Sequence, residues 1–292
     1  MNAFLHFSIG VHRCSSAAHI VFAFFSHLLR EAATHAKTPM KRLFDFLTAL
    51  IALTLLAPFL AAIALAIWLE DRKSPFFFAL RVARGGGDFR MVKFRTMIPG
   101  AWKSGVNSTA SGDARITRIG SYLRKGKLDE LPQLWNVLAG DMSLVGPRPQ
   151  VRADVNLYTS EERRMLRARP GITDLASIAF ADEGEILSGS ADPDLLYNQL
   201  IRPWKSRLAL LYLDNQSFLR DLQILGITAL ALVSRTRALR ALSLLVDAFG
   251  ASEKLKSMAE RRLPLKPWPP PGAETIVKQY RPSPMHKDAA HA

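Results

Sequence analysis

Polar and apolar positions are unevenly spread along this chain, and one stretch dominates. From Phe46 to Leu69, 24 consecutive residues carry no charge, which is the length and composition of a membrane helix. Pro58 stands near its middle, with twelve uncharged residues before it and eleven after. Proline removes one backbone hydrogen bond and kinks a helix, and the spacing offers the Thr54 hydroxyl as cover for the freed carbonyl. Lys37, Lys41 and Arg42 precede the run and Arg72 and Lys73 follow it. Both flanks therefore claim the cytoplasmic side. A bent, re-entrant helix that returns to its own leaflet satisfies both claims, whereas a straight span puts one basic flank outside.

After Pro75 the period shortens to two. Phe76 to Val82 and Phe89 to Phe94 alternate around Arg84-Gly85-Gly86-Gly87-Asp88, predicting a β-hairpin. The glycine triplet lacks the lysine and hydroxyl ending of a P-loop. Residues 97–113, rich in Ser, Gly, Asn and Thr, predict a mobile loop. A basic amphipathic helix or turn from Ile116 to Lys127 leads to Leu128-Asp129-Glu130-Leu131-Pro132, and Pro132 belongs in a first helical turn, placing both carboxylates at a helix N-terminus that Gly140 later closes. Tyr158–Arg169, Asp194–Leu213 and most of 215–260 read as helices, with Asp182, Glu183 and Glu185 in an acidic loop. The last thirty residues hold seven prolines without apolar periodicity and read as disordered. The fold class is α+β, mostly helical. Its divisions are an extension (1–39), the membrane helix (40–73), a catalytic core (74–232), a helical extension (233–262) and a proline-rich tail (263–292).

Composition narrows the function classes. Lysine and arginine outnumber aspartate and glutamate 39 to 25, a net charge of +14, which suits an anionic membrane face or a phosphorylated substrate. The single cysteine, Cys14, excludes an internal disulfide and a cysteine-based zinc site. Five of the seven histidines fall within residues 1–39, leaving the core to oxygen-ligand chemistry.

Adjacent acids at a helix start are ordinary capping residues when taken alone. Here Arg124, Lys125 and Lys127 precede them, and Gly146-Pro147-Arg148-Pro149 follows. Prolines on both sides of Arg148 fix its backbone, so that its guanidinium can present a rigid fork to phosphate oxygens.

The string from Lys127 to Pro149, with Lys93-Phe94-Arg95-Thr96-Met97 and the apolar helix interrupted at Pro58, resembles the bacterial sugar transferases, the monotopic polyprenyl-phosphate phosphoglycosyl transferases. The resemblance covers about residues 40–230. It implies transfer of a sugar 1-phosphate from a UDP-sugar to undecaprenyl phosphate, with release of UMP, through a covalent aspartyl phosphosugar. It further implies Asp129 as nucleophile and Mg²⁺ ligand, Glu130 as its partner carboxylate, and Arg148, Arg124, Lys93 and Arg95 at phosphate-handling or active-face positions. Asp221 matches an acid near the site. The implied partners are the bilayer and later glycan-assembly glycosyltransferases rather than nucleic acid. The implied location is the bacterial inner membrane, with the catalytic core facing the cytoplasm. Two departures stand out: Ala57 occupies the place before the proline where many members have Ser, and Pro170 to Ser177 matches the family's next motif only at its start, so the sugar is not implied. Readings from other classes are a membrane-anchored metal-dependent phosphatase or nucleotidase, and a non-catalytic basic scaffold on anionic lipid.

Overall fold

The uncharged run forms part of one helix, α1 (Pro39–Asp71), with Pro58 inside it. The computed structural model describes residues 39–104, 106 and 108–280; the N-terminal extension lies outside the described residues apart from Pro39. At 1.5 Å per residue the 33 residues of α1 reach about 50 Å. The helix continues through Pro58, so the expected break is not an interruption of it. The Thr54 hydroxyl donates to the Leu50 carbonyl at 2.9 Å instead of covering the carbonyl that Pro58 leaves free, which is its own. Helical side chains lean toward the N-terminus, so a threonine hydroxyl reaches the carbonyl one turn back.

Both ends of α1 are fastened to the rest of the protein. Near its start, Arg42 is buried and donates to the Val137 and Leu138 carbonyls at 2.5 and 2.8 Å. Buried Asp45 accepts from the Ser143 hydroxyl and the Leu144 amide at 2.7 and 3.2 Å. Near its end, Ile63 and Ile67 pack with Phe94 and Leu123. Between these anchors Leu50, Ile51, Leu55 and Phe59 are exposed.

Strands β1 (Phe76–Val82) and β2 (Asp88–Phe94) form the predicted antiparallel hairpin, with Phe77 opposite Lys93, Ala79 opposite Met91 and Arg81 opposite Phe89. Side chains of directly paired residues share a face, so Lys93 and Arg81 stand on the side that buries Ala79, Met91 and Phe89. Helix α2 (Arg118–Lys125) follows, capped by Thr117 accepting from the Gly120 amide. Lys127, in the left-handed region at φ 54°, turns the chain into a 3₁₀ turn, Leu128–Glu130. Helix α3 (Gln133–Ala139) starts after Pro132 and ends at left-handed Gly140. The carboxylates thus occupy a separate turn ahead of the helix, because Lys127 redirects the chain before Pro132 nucleates α3.

Strand β3 (Ser143–Val145), helix α4 (Arg152–Asn156) and strand β4 (Gly171–Thr173) come next, and β3 pairs with β4 in parallel. The backbones meet closely at the end of this pair: a Cβ at Gly146 would lie 2.3 Å from the Arg169 carbonyl oxygen, so only glycine fits. Between α4 and β4, residues 162–167 make only a 3₁₀ segment where a longer helix was expected. Helices α5 (Leu175–Ala179), α6 (Glu183–Ile186) and α7 (Pro193–Leu196) are short. A π-turn, Tyr197–Ile201, separates α7 from α8 (Arg202–Asp214). Pro203 has no amide hydrogen to donate, and the wider turn absorbs the gap in the predicted continuous helix. Helices α9 (Phe218–Val233), α10 (Arg235–Ala248) and α11 (Glu253–Ala259) close the core, where Leu208, Tyr212, Ile224, Leu242 and Val246 are fully buried.

Over residues 263–280 the expectation of a disordered tail is corrected, for they lie as an irregular strap on the core, while 281–292 fall outside the described residues. Trp268 stacks on Trp204 with centroids 6.0 Å apart, and Lys254 stands over the Trp268 ring. The Tyr280 hydroxyl donates to Asp154 at 2.8 Å, and Thr159 donates to the Pro271 carbonyl. Proline-rich sequence lacks periodicity but docks through its aromatic anchors and carbonyls. The loop after Met97 is likewise pinned, by the Ser108 amide donating to Asp194 at 2.6 Å and the Ser111 amide to the Gly184 carbonyl at 2.7 Å.

Candidate active site

The turn at Leu128–Glu130 meets one face of the hairpin. Asn136 on α3 makes the junction: its side-chain oxygen accepts from the Val92 amide at 2.9 Å and its NH₂ donates to the Arg90 carbonyl at 2.8 Å. An asparagine paired this way extends the β2 edge and fixes the register of strand against helix. Lys93 is then held beside Glu130, with Nζ donating to Oε1 at 3.0 Å.

Arg148 reaches the same carboxylate from the other side. Its guanidinium donates to both Glu130 oxygens, to Oε2 at 3.1 Å and to Oε1 by a shorter contact. The Arg148 amide donates to Asp174 at 3.3 Å, and the Asp174 side chain caps α5 by accepting from the Ser177 amide at 2.6 Å. The bracketing prolines and this cap hold the guanidinium in its two-pronged grip.

Asp129 is buried at 8% exposure, and its carboxylate accepts no hydrogen bond among the described residues. Burial pushes its carboxyl above the usual aspartate value, Lys93 opposes that rise and the Glu130 charge adds to it. Glu130 behaves in the opposite way. Burial alone would raise it, but the Arg148 and Lys93 cations hold it well below the usual range. Two adjacent acids are thereby separated: Glu130 is a fixed anion between two cations, and Asp129 is a buried carboxylate that neither cation engages by a hydrogen bond.

The cations show the same balance. Burial lowers Lys93 while Glu130 raises it. Arg124, whose Nε donates to the Thr96 hydroxyl at 2.8 Å, is lowered by burial and supported by the nearby Asp129 charge. Arg81 was missed in the sequence. Burial and the neighbouring Arg148 charge bring it to about 10. Strand alternation carried the signal, since register places Arg81 on the Lys93 face.

Two sequence candidates fall elsewhere. Arg95 makes a bidentate pair with Asp71, both contacts 2.6 Å, and donates to the Ser74 carbonyl. It ties the end of α1 to the residue just after β2: alternation alone would put it on the Lys93 side, but the strand ends at Phe94 and Asp71 engages the guanidinium. Asp221 is buried on α9, where it accepts from Lys41 at 2.5 Å and from the Tyr212 hydroxyl at 2.6 Å. This pair joins the start of α1 to α8 and α9 and involves neither Glu130 nor its cations.

The turn therefore sets an unengaged carboxylate, Asp129, beside a second one, Glu130, that is paired with Lys93 and Arg148. The family model described as bacterial sugar transferase matches residues 36–235. This chain belongs to that family. Among its relatives in the family is the UDP-N-acetylgalactosamine-undecaprenyl-phosphate N-acetylgalactosaminephosphotransferase of Aeromonas hydrophila, 43% identical over 170 residues, covering 56% of this chain and 40% of the relative. The UDP-glucose:undecaprenyl-phosphate glucose-1-phosphate transferase of Caulobacter vibrioides is 39% identical over 172 residues, 56% of this chain and 64% of the relative. The exopolysaccharide production protein PSS of Rhizobium leguminosarum bv. phaseoli is 37% identical over 207 residues, 67% of this chain and 96% of the relative. The chain thus spans 40% and 64% of the length of the first two relatives and nearly all of the third. The family match ends at the first residue of α10.

Proposed function

We propose that this family member transfers a sugar 1-phosphate from a UDP-sugar to undecaprenyl phosphate, releasing UMP and starting a bacterial surface glycan. The observation that carries this reading is the unengaged, buried Asp129 carboxylate beside a Glu130 clamped by Lys93 and Arg148. In the first step an Asp129 oxygen attacks the sugar-bearing phosphorus. A P–O bond to the aspartate forms, the anhydride P–O bond breaks, and UMP leaves with the bridging oxygen. In the second step an oxygen of undecaprenyl phosphate attacks the same phosphorus, a new anhydride forms and the aspartate is released. Water is not consumed. Splitting the transfer lets a water-borne and a lipid-borne substrate use one centre in turn. Lys93, Arg148, Arg124 and Arg81 would neutralise the diphosphate charge that otherwise repels a carboxylate.

Mg²⁺ fits this donor set. It is a hard cation that takes one or two carboxylates and leaves its other positions to phosphate oxygens and water, and Asp129 supplies such a carboxylate. When bound it would polarise the phosphoryl oxygens.

The placement of α1 follows the same logic. We propose that it is re-entrant in the cytoplasmic leaflet, an arrangement supported by the attachment of both its ends to one domain while its apolar middle is exposed. Such a helix would keep the carboxylate turn at the level of the lipid phosphate. In a Cys14→Ser background, Thr38→Cys and Ser74→Cys should both be labelled only from the cytoplasm; labelling of one from outside would mean a spanning helix. For the reaction, UDP-sugars are screened with undecaprenyl phosphate. Continued UMP release that requires the lipid, beyond the single equivalent per enzyme that the first step sets free, supports transfer; continued turnover without it indicates a hydrolase, and no release with any sugar removes the reading.

A further inference from the structure

Beyond Arg235 the chain continues outside the family match, yet this added part, together with Arg235 at the end of the match, reaches back toward the catalytic turn. Two arginines converge on Asp182: Arg235 Nη2 lies 2.8 Å from Oδ1, and Arg261 Nη2 lies 3.1 Å from Oδ2. Arg235 opens α10, and Arg261 follows α11. The Arg261 guanidinium also stands 5.2 Å from the Phe180 ring centroid. Arg261 and Asp182 are 17% and 15% exposed, so the pair is shielded enough to hold a geometry. Arg261 itself sits in the left-handed region at φ 60°, a conformation that a non-glycine residue keeps only when its surroundings fix it.

The segment so gripped, Phe180 to Ile186, faces the active centre on its other side. Lys127, which turns the chain into Asp129 and Glu130, points Nζ at the Ala181 carbonyl at 3.5 Å. Gly184 receives the Ser111 amide at 2.7 Å. Glu183 is ion-paired with Lys205. Burial would raise the Glu183 carboxyl, but Lys205 brings it below its usual value. Its charge also supports that of Arg148. One short segment therefore links the catalytic turn, the Ser/Gly-rich loop and the charge at Arg148, and the two arginines hold it from behind.

We propose that Arg261, acting with Arg235 through Asp182, is a positioning residue for the transferase reaction, holding the Phe180–Ile186 segment against the turn that carries Asp129 and Glu130. It touches neither substrate nor reacting atoms. It acts by keeping Glu183 and the Ala181 carbonyl in place around Arg148 and Lys127. The inference rests on the transferase reading of the site.

The test compares full-length wild type with Arg261→Ala, Arg261→Lys, Asp182→Ala and the double variant, each in the same detergent. UMP release is measured against UDP-sugar concentration with undecaprenyl phosphate present, and hydrogen exchange of the peptide containing residues 180–186 is followed in parallel. Arg261→Ala should raise KM for the UDP-sugar about five- to tenfold, with a smaller change in kcat. Arg261→Lys should recover most of it. The double variant should match Asp182→Ala, because both changes remove one linkage, and exchange of the 180–186 peptide should quicken in each alanine variant. Unchanged KM and exchange in a folded Arg261→Ala protein overturns the proposal, as do effects that add in the double variant. A lower Tm with unmoved KM makes the pair purely structural and also overturns it. A wild type that releases no UMP from any UDP-sugar removes the reading of the site itself, and this proposal with it, whatever the exchange data show.

Discussion

Replacing Glu130 with Gln keeps the shape of the side chain and removes the charge that three basic groups share. Lys93 at 3.0 Å and Arg148 through two contacts lose their counter-ion, and Arg81 stands in the same neighbourhood. A unit-charge pair at about 4 Å in a partly shielded site interacts with about 4 kcal/mol. The side chains of Glu130, Lys93 and Arg148 are 16%, 17% and 29% exposed, so water recovers part of this. A net loss of about 2–3 kcal/mol remains, which for a domain of this size lowers Tm by about 5–10 °C. The pH dependence has a definite sign. Glu130 is depressed in the folded protein from an ordinary value of 4.5, so its stabilisation is complete above that value and lost as pH falls through the folded one. The gap between wild type and Glu130→Gln should be full at pH 7.5 and should close in acid. Removing the Glu130 charge also releases Asp129 from one cause of its raised pKa, so the acidic limb of any residual activity should move to lower pH. Tryptophan-fluorescence melts in detergent at pH 7.5 and through a series falling well below 4.5 test this. A gap under about 0.5 kcal/mol at pH 7.5, or one unchanged in acid, refutes the reasoning.

Other outcomes follow from the packing. Arg42→Met should destabilise the protein by about 3 kcal/mol, because it leaves the Val137 and Leu138 carbonyls at the end of α3 without their charged donor; chemical unfolding in detergent reads this, and a change below about 1 kcal/mol contradicts it. Truncation after Arg262 uncovers Trp204 and removes the Trp268 stack and the Tyr280 bond, so Tm should fall by about 4–10 °C while UMP release at 20 °C persists. Unaltered Tm would mean that the strap does not hold to the core.

How far the sequence was readable depended on the range of the interactions. The hairpin, the start of α3 near Pro132 and its end at Gly140 were legible because their causes are local: alternation, a fixed proline φ and a left-handed glycine; the separate turn that holds the carboxylates was not, because it depends on Lys127 adopting the left-handed region. While Lys93 came from the family resemblance, local reading also singled out Asp129, Glu130 and Arg148. It could not divide the labour between the two acids, since that depends on which cations reach which carboxylate. Lys41 and Arg42 looked like a membrane flank, yet they bond to residues far along the chain, Asp221 and Val137. Arg95 lies two residues from Lys93 and still serves a different purpose, because Asp71 from the end of α1 meets it there. Asn136 resembles any helical asparagine until β2 is laid beside it. The proline-rich strap lacked the periodicity that marks packed elements and docks instead through Trp268 and Tyr280.

The central claim is that Asp129 becomes covalently bonded to phosphorus during transfer. It is tested most directly by incubating the full-length protein with its UDP-sugar and Mg²⁺, without lipid acceptor, then quenching and analysing peptides by mass spectrometry. The account predicts one added sugar phosphate on the peptide carrying Asp129, localised to that residue by fragmentation, discharged by undecaprenyl phosphate and absent in Asp129→Asn. A wild type that turns over with lipid but never carries the adduct contradicts it, and an adduct on Glu130 would exchange the two roles.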